Sequence, residues 1–253
     1  RRQGAWTISG GTLELAHLTE KISISEACAK CSLHKCSFRE SARFPVVRHH
    51  RTLSRGERLD CDDAVGCMRF WIVVSGTAGS CTTFPDGRRQ IIGLERAGDI
   101  VCAPTTGTSG QSCLEALSDS EICILDLTRH AAFLRDDPEF LAATFHVTHR
   151  RLARSQAHRS TLGRLDSQER VILFLAEMAA RESQPVVTLH MSREDIADYL
   201  GLNAETVSRI LSRLKKSGLV KFLSHTEYVV PDMSALERRL PVPVSTPAVR
   251  EIL

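Results

Sequence analysis

Three of the nine cysteines in this 253-residue chain, Cys28, Cys31 and Cys36, fall within nine residues. Such spacing lets one loop wrap a metal centre, and the neighbouring Lys30, Lys35 and Arg39 favour the thiolate, the form that ligates. Three thiols do not close a site. The fourth ligand comes from elsewhere in the chain, or His34 completes a Cys3His set suited to zinc. A second constellation lies far downstream, where Glu205, Ser208, Arg209 and Ser212 project from one face of a helical segment. An arginine there can read guanine through two hydrogen bonds, and a glutamate can accept from a cytosine amino group. Five basic residues (Arg209, Arg213, Lys215, Lys216 and Lys221) against the single acid Glu205 suit that stretch to phosphate contacts.

The elements that position these groups are legible from pattern. From about residue 44 to 127, short β-branched or apolar runs alternate with glycine: Phe70 to Val74, then Ser75-Gly76, then Thr82 to Phe84, then Pro85-Asp86-Gly87, then Gln90 to Leu94. Strands at this spacing joined by tight turns predict an antiparallel sandwich or barrel. From about 129 to 160 the glycines vanish. Phe140, Leu141, Phe145, Val147, Thr148 and Leu152 recur at threes and fours near Pro138, predicting a long helix. Its apolar stripe suits a dimer seam, or else packing on its own β domain. Five arginines (Arg150, Arg151, Arg154, Arg159 and Arg164) and no acid lie between residues 140 and 165.

Beyond Gly163 the pattern predicts a helix over Ser167 to Ala180, a break at Gln184-Pro185 and a short strand over Val186 to Leu189. Ser192 and Asp195 then form a capping box that opens a helix ending at Gly201. Asn203 caps the next, which stops at Ser217-Gly218. Ile196, Ala197, Leu200, Leu202, Val207, Ile210 and Leu214 form the inner face of this pair. Small Ala197 permits close approach and Gly201 the sharp turn, so the pattern is a helix-turn-helix. Residues Leu219 to Phe222 and Glu227 to Val230 read as a two-stranded wing.

Composition narrows the function classes. With 42% hydrophobic and 25% charged residues and a net charge of +3, the chain is ordinary globular material, large enough for one or two domains. The longest apolar runs, such as Val171 to Ala176, are far shorter than the roughly 20 residues of a spanning helix. Residues 1 to 6 lack the apolar core of a signal peptide, and the absence of an initial Met suggests an earlier start. An odd cysteine count without an export signal opposes a disulfide framework and points to a cytoplasmic setting. Cys61, Cys67, Cys81, Cys102 and Cys113 read as buried small hydrophobes, with Cys113, ten residues before Cys123, the one to check. No Cys/His pair has a catalytic neighbourhood and no nucleotide-binding glycine loop is present, so an enzyme is not expected.

With the helix-turn-helix, the preceding β domain and the Glu205 to Arg209 run, the sequence resembles the FNR branch of the FNR and cAMP receptor protein family of bacterial transcription regulators. The resemblance implies an α+β chain. Its parts are a cysteine-rich segment (1–40), a cyclic-nucleotide-binding-like β-roll or jelly roll (41–130), a dimerisation helix (131–162), a winged helix-turn-helix (163–240) and a tail (241–253). Glu205, Ser208 and Arg209 match the branch's Glu-x-x-Ser-Arg signature, which implies TTGAT half-sites in a palindrome, with Ser212 and Arg213 as further DNA-binding residues.

The branch also implies one oxygen-labile [4Fe-4S] cluster per subunit, held by Cys28, Cys31, Cys36 and Cys123. Cys123 is selected because Leu114 to Leu125 matches the family segment carrying the fourth ligand. The cysteine trio departs by one residue from the best-known C-x2-C-x5-C spacing. A zinc site, a thiol switch or a haem on His49 or His50 are the competing sensors. Cyclic nucleotide binding is not expected, since the stretch after Gly98-Asp99 lacks the required arginine. The implied partners are double-stranded DNA, a second copy of the chain and RNA polymerase, the last touching β-roll loops such as Pro85-Asp86-Gly87, with no membrane.

Overall fold

The computed structural model describes residues 47–60, 69–102, 111–126 and 138–244. Cys28, Cys31, Cys36, Cys61 and Cys67, His34 and the tail from 245 lie outside the described residues. Among the described residues, eight strands form the first body: β1 (Val47–Leu53), β2 (Arg58–Asp60), β3 (Arg69–Ser75), β4 (Thr77–Thr83), β5 (Arg89–Arg96), β6 (Ile100–Cys102), β7 (Gln111–Ala116) and β8 (Ser120–Asp126). They pair antiparallel into two four-stranded sheets, ordered β1-β8-β3-β6 and β2-β7-β4-β5. Strand alternation explains the core between them: Leu53, Leu59, Trp71, Val73, Ala78, Val101, Leu114, Ala116 and Ile122 are all buried there.

Two turns set the geometry. Gly76 carries the chain from one sheet to the other with φ +85°, and a Cβ there would lie 2.3 Å from the Ser120 hydroxyl and 2.4 Å from the Asp119 carbonyl. No other residue fits that crossing. Pro85-Asp86-Gly87 closes the β4–β5 hairpin, where the Phe84 N–H donates to the Arg88 carbonyl at 2.8 Å. Phe84, expected in a strand, stands in the turn.

Helix α1 (Pro138–Arg164) spans 27 residues, opens with proline at its first position and runs slightly past the expected end. Its faces divide the labour. Val147 is buried, whereas Leu141, Phe145 and Leu152 are 52%, 66% and 51% exposed. Two of the five arginines in the acid-free run have partners on the β-roll: Arg154 pairs with Asp99 at 3.0 Å, and Arg151 donates to Ser80 at 3.1 Å, close to buried Glu95. These cations meet carboxylates of the β-roll.

The second body comprises α2 (Ser167–Ala179), β9 (Val186–Thr188), α3 (Arg193–Leu200), α4 (Ala204–Lys216), β10 (Lys221–Phe222), β11 (Glu227–Val229) and α5 (Met233–Glu237). A second capping box, Asp166 with Glu169, starts α2. The expected two-stranded wing is a three-stranded sheet, β10-β11-β9, because β9 pairs with β11 along Val186↔Val229. Tyr228 on β11 is fully buried and donates to the Leu175 carbonyl at 2.7 Å, tying the sheet to α2. Tyr228→Phe removes that bond and is expected to cost about 1 kcal/mol, read from urea unfolding of the purified protein.

No helix among the described residues is long and apolar enough to cross a membrane.

Candidate nucleic-acid interface

The sequence builds the α3–α4 pair locally. Ser192 accepts from the Asp195 N–H at 3.0 Å while Asp195 accepts from the Ser192 N–H at 2.8 Å. Gly201 ends α3 with φ +63°, the left-handed conformation that glycine adopts without strain. Asn203 accepts from the Thr206 N–H at 2.7 Å and starts α4. Asn203→Ala is expected to lower stability by about 1 kcal/mol, and a thermal melt that does not shift would contradict it. Ile196, Ala197, Leu200, Val207, Ile210 and Leu214 are buried as expected, with Leu202 packed beside them.

The opposite face of α4 is open. Glu205, Ser208, Arg209, Ser212 and Arg213 are all exposed, so the five residues singled out for DNA contact share one accessible surface. Arg209 and Glu205 form an i,i+4 ion pair on that face, and Ser212 donates to the Ser208 carbonyl at 2.9 Å. Beside it runs a cleft between α4 and the wing, lined by Arg193, Ser208, Ser212, Lys215, Phe222 and His225. Arg193 lies 5.7 Å from the centre of the Phe222 ring, a cation–π contact that fixes the wing against α3. Lys215, Lys216 and Lys221 flank this surface and are exposed. The face can therefore offer hydrogen-bonding side chains to base edges and cations to phosphates.

Two features that hold the reading head in place have no periodic signature in the sequence. Arg170 of α2 donates to three carbonyls, Leu162 at 2.6 Å, Leu165 at 2.9 Å and Leu200 at 3.1 Å, joining the end of α1 to the end of α3. A guanidinium suits this junction, since helix C-termini carry partial negative charge and unpaired carbonyls. Nearby, His158 of α1 stacks on Tyr199 with ring centres 4.2 Å apart, and burial holds its imidazole below the ordinary range.

The second feature is the seam between the β-roll and α3. Arg89 of β5 bridges Asp195 at 2.6 Å, Asp198 at 2.7 Å and Glu115 of β7, while Arg55 reaches Asp195 at 3.2 Å. Burial opposes ionisation of Asp195, but hydrogen bonds from Ser192 and Arg89 outweigh it and hold the carboxyl below its usual range.

Of the expected metal ligands, Cys123 lies within the described residues. It sits on β8, opposite His50 of β1 and Ile72 of β3, and is 5% exposed. Ile122 points into the sandwich core, so by strand alternation Cys123 faces the other side of its sheet. His50, weighed as a haem ligand, is engaged at 3.0 Å with Glu121. Cys81 and Cys113 are buried, as expected of core thiols, and Cys102 is half-buried.

Comparison with known proteins agrees with this arrangement. Residues 169–239 match the Crp-like helix-turn-helix domain. The chain is 37% identical over 193 residues to the nitrogen fixation regulation protein FixK of Azorhizobium caulinodans, covering 73% of this chain and 76% of that protein. It is 28% identical over 238 residues to the transcriptional activator protein FnrL of Cereibacter sphaeroides, covering 87% and 94%. The structure of FixK2 from Bradyrhizobium japonicum superposes with a TM-score of 0.69 at 29% identity, covering 78% of this chain and all of that one. With a β-roll, a long connecting helix and a winged helix-turn-helix in this order, the chain belongs to the CRP/FNR family and is a DNA-binding transcription regulator, not an enzyme.

Proposed function

We propose that this regulator is an oxygen-responsive dimer, controlled by a [4Fe-4S] cluster, that binds TTGAT-N4-ATCAA palindromes to control anaerobic or microaerobic gene expression. The observation that carries the reading is the exposed Glu205, Ser208 and Arg209 face of α4, the side-chain set of the branch that reads TTGAT. Two copies place two such helices about one DNA turn apart. The exposed Leu141, Phe145 and Leu152 on α1 supply the apolar seam for the second copy. The exposed turn at Asp86 is the surface offered to RNA polymerase.

Cys123 supports the sensor half. A buried thiol on the side of its sheet away from the sandwich core has the softness and shielding that iron–sulfur ligation needs. With Cys28, Cys31 and Cys36 it would complete a four-thiolate set. When bound, the cluster supplies an oxygen-labile junction between the N-terminal segment and β8. A bias of a few kcal/mol on subunit pairing would then suffice to switch DNA affinity.

The test is anaerobic purification of the full chain, followed by iron and sulfide assay, absorbance near 400 nm, and band shifts on TTGAT-N4-ATCAA and a scrambled duplex before and after air. Stoichiometric iron and sulfide, with palindrome binding that air abolishes, is expected. A colourless anaerobic protein containing zinc would decide for the zinc site over the cluster, and equal affinity for both duplexes at physiological salt would overturn the TTGAT specificity.

A further inference from the structure

The outer face of the β2-β7-β4-β5 sheet carries an unusual pair. Cys81 of β4 lies directly opposite Cys113 of β7 in the antiparallel register, with Glu115 two residues further along the same face. The two Sγ atoms and a Glu115 carboxylate oxygen all lie within 4.8 Å of one another. Cys81 and Cys113 are 1% and 5% exposed. They belong to the buried cluster that also contains Ile91 and Leu94 of β5 and the core of the helix-turn-helix, so the DNA-binding body helps to cover them.

Two chemistries could use such a site. A thiophilic cation would need Glu115, but Arg58 holds one of its oxygens at 2.9 Å and Arg89 holds the other, so two guanidinium charges stand where a metal ion would have to approach. The same charges favour thiolate formation and thiol oxidation. The Cys81–Cys113 hydrogen bond and the nearby Arg58 push the Cys113 thiol below its ordinary range despite burial. Its partner Cys81 is pushed up by that hydrogen bond and by burial. Directly opposed residues in an antiparallel pair have Cα atoms about 4.5 or 5.5 Å apart, inside the roughly 4.4–6.8 Å that a disulfide spans.

We propose that Cys81 and Cys113 form a modification site, a cross-strand dithiol that a hydroperoxide closes to a disulfide when the DNA-binding body lifts off β5. The Cys113 thiolate attacks the outer peroxide oxygen, breaking the O–O bond and leaving a sulfenic acid and an alkoxide or hydroxide that takes up a proton. Cys81 then attacks that sulfur, expelling water. Two thiols and one hydroperoxide thus become one disulfide, one alcohol or water, and one water. Arg89 makes access conditional: it holds Glu115 beside the thiols and Asp195 and Asp198 across the seam, so the state that exposes the pair is the state in which this bridge is broken.

The experiment treats the full chain with hydrogen peroxide, alkylates remaining thiols and maps peptides by tandem mass spectrometry. The expected result is a Cys81–Cys113 linked pair, two hydrogens lighter than the dithiol and reversed by dithiothreitol. Asp198→Ala, which weakens the seam without touching the thiols, should raise the closure rate about five- to tenfold. Recovery of Cys81 and Cys113 as separately alkylated peptides, a disulfide from either to a different cysteine, or an unchanged rate in Asp198→Ala would overturn the proposal. Repeating the mapping in Cys123→Ser keeps its outcome separate from that of the iron–sulfur reading.

Discussion

Cys123→Ser protein is expected to emerge from anaerobic purification without iron or sulfide above background, colourless, and with equal weak affinity for the TTGAT palindrome in the presence and absence of air. The substitution changes one atom, so the fold should survive. A serine hydroxyl on β8 can donate to a neighbouring carbonyl, and exchanging a buried thiol for it costs on the order of 1–2 kcal/mol. Ligation is lost because an un-ionised hydroxyl is a poor soft-metal ligand. Cys102→Ser, a half-buried thiol on β6, is the control and should keep its iron. Full iron and sulfide in Cys123→Ser would place the fourth ligand elsewhere.

Arg209→Ala should have the second-largest effect, a drop of about 5- to 150-fold in affinity for the palindrome, corresponding to ~1–3 kcal/mol for one bidentate base contact. Its side chain is 68% exposed and takes no part in the core, so the melting temperature should barely move. The variant that gives the result meaning is Arg213→Ala. Removing a phosphate-binding guanidinium there weakens binding to cognate and scrambled duplexes alike and lowers the salt slope by about one. Arg209→Ala should instead erase discrimination. A uniform weakening across both duplexes would demote Arg209 to a phosphate-binding residue.

What the sequence disclosed was local. The caps at Ser192 and Asn203, the turn at Gly201 and the period of Ile196 to Leu214 are written in neighbouring residues, and the structure repeats them. The same holds for the Pro85-Asp86-Gly87 hairpin. Contacts between bodies were not legible. Arg89 and Asp195 are 106 residues apart, and an arginine that bridges two domains looks in sequence like any solvated surface arginine. The third strand of the wing was visible as a strand but not as a partner of β11, because three-residue strands carry no register information. Cys113 drew attention through its proximity in sequence to Cys123, yet the strand order puts those two thiols on different sheets and sets Cys113 against Cys81.

The Arg170 junction turns α1 into a torque rod. Its 27 residues span ~40 Å, and a single guanidinium grips carbonyls from its last turn, from the residue after it and from the last turn of α3. Slack there would let the reading head swivel independently of the rod. With three bonds at one junction the head moves with the rod, so a swing of ~10° about the Pro138 end carries the head through ~7 Å, about two base-pair steps. Half-site spacing is then a gauge of how two rods meet, and a promoter with one or two base pairs added between its half-sites becomes a ruler for that angle.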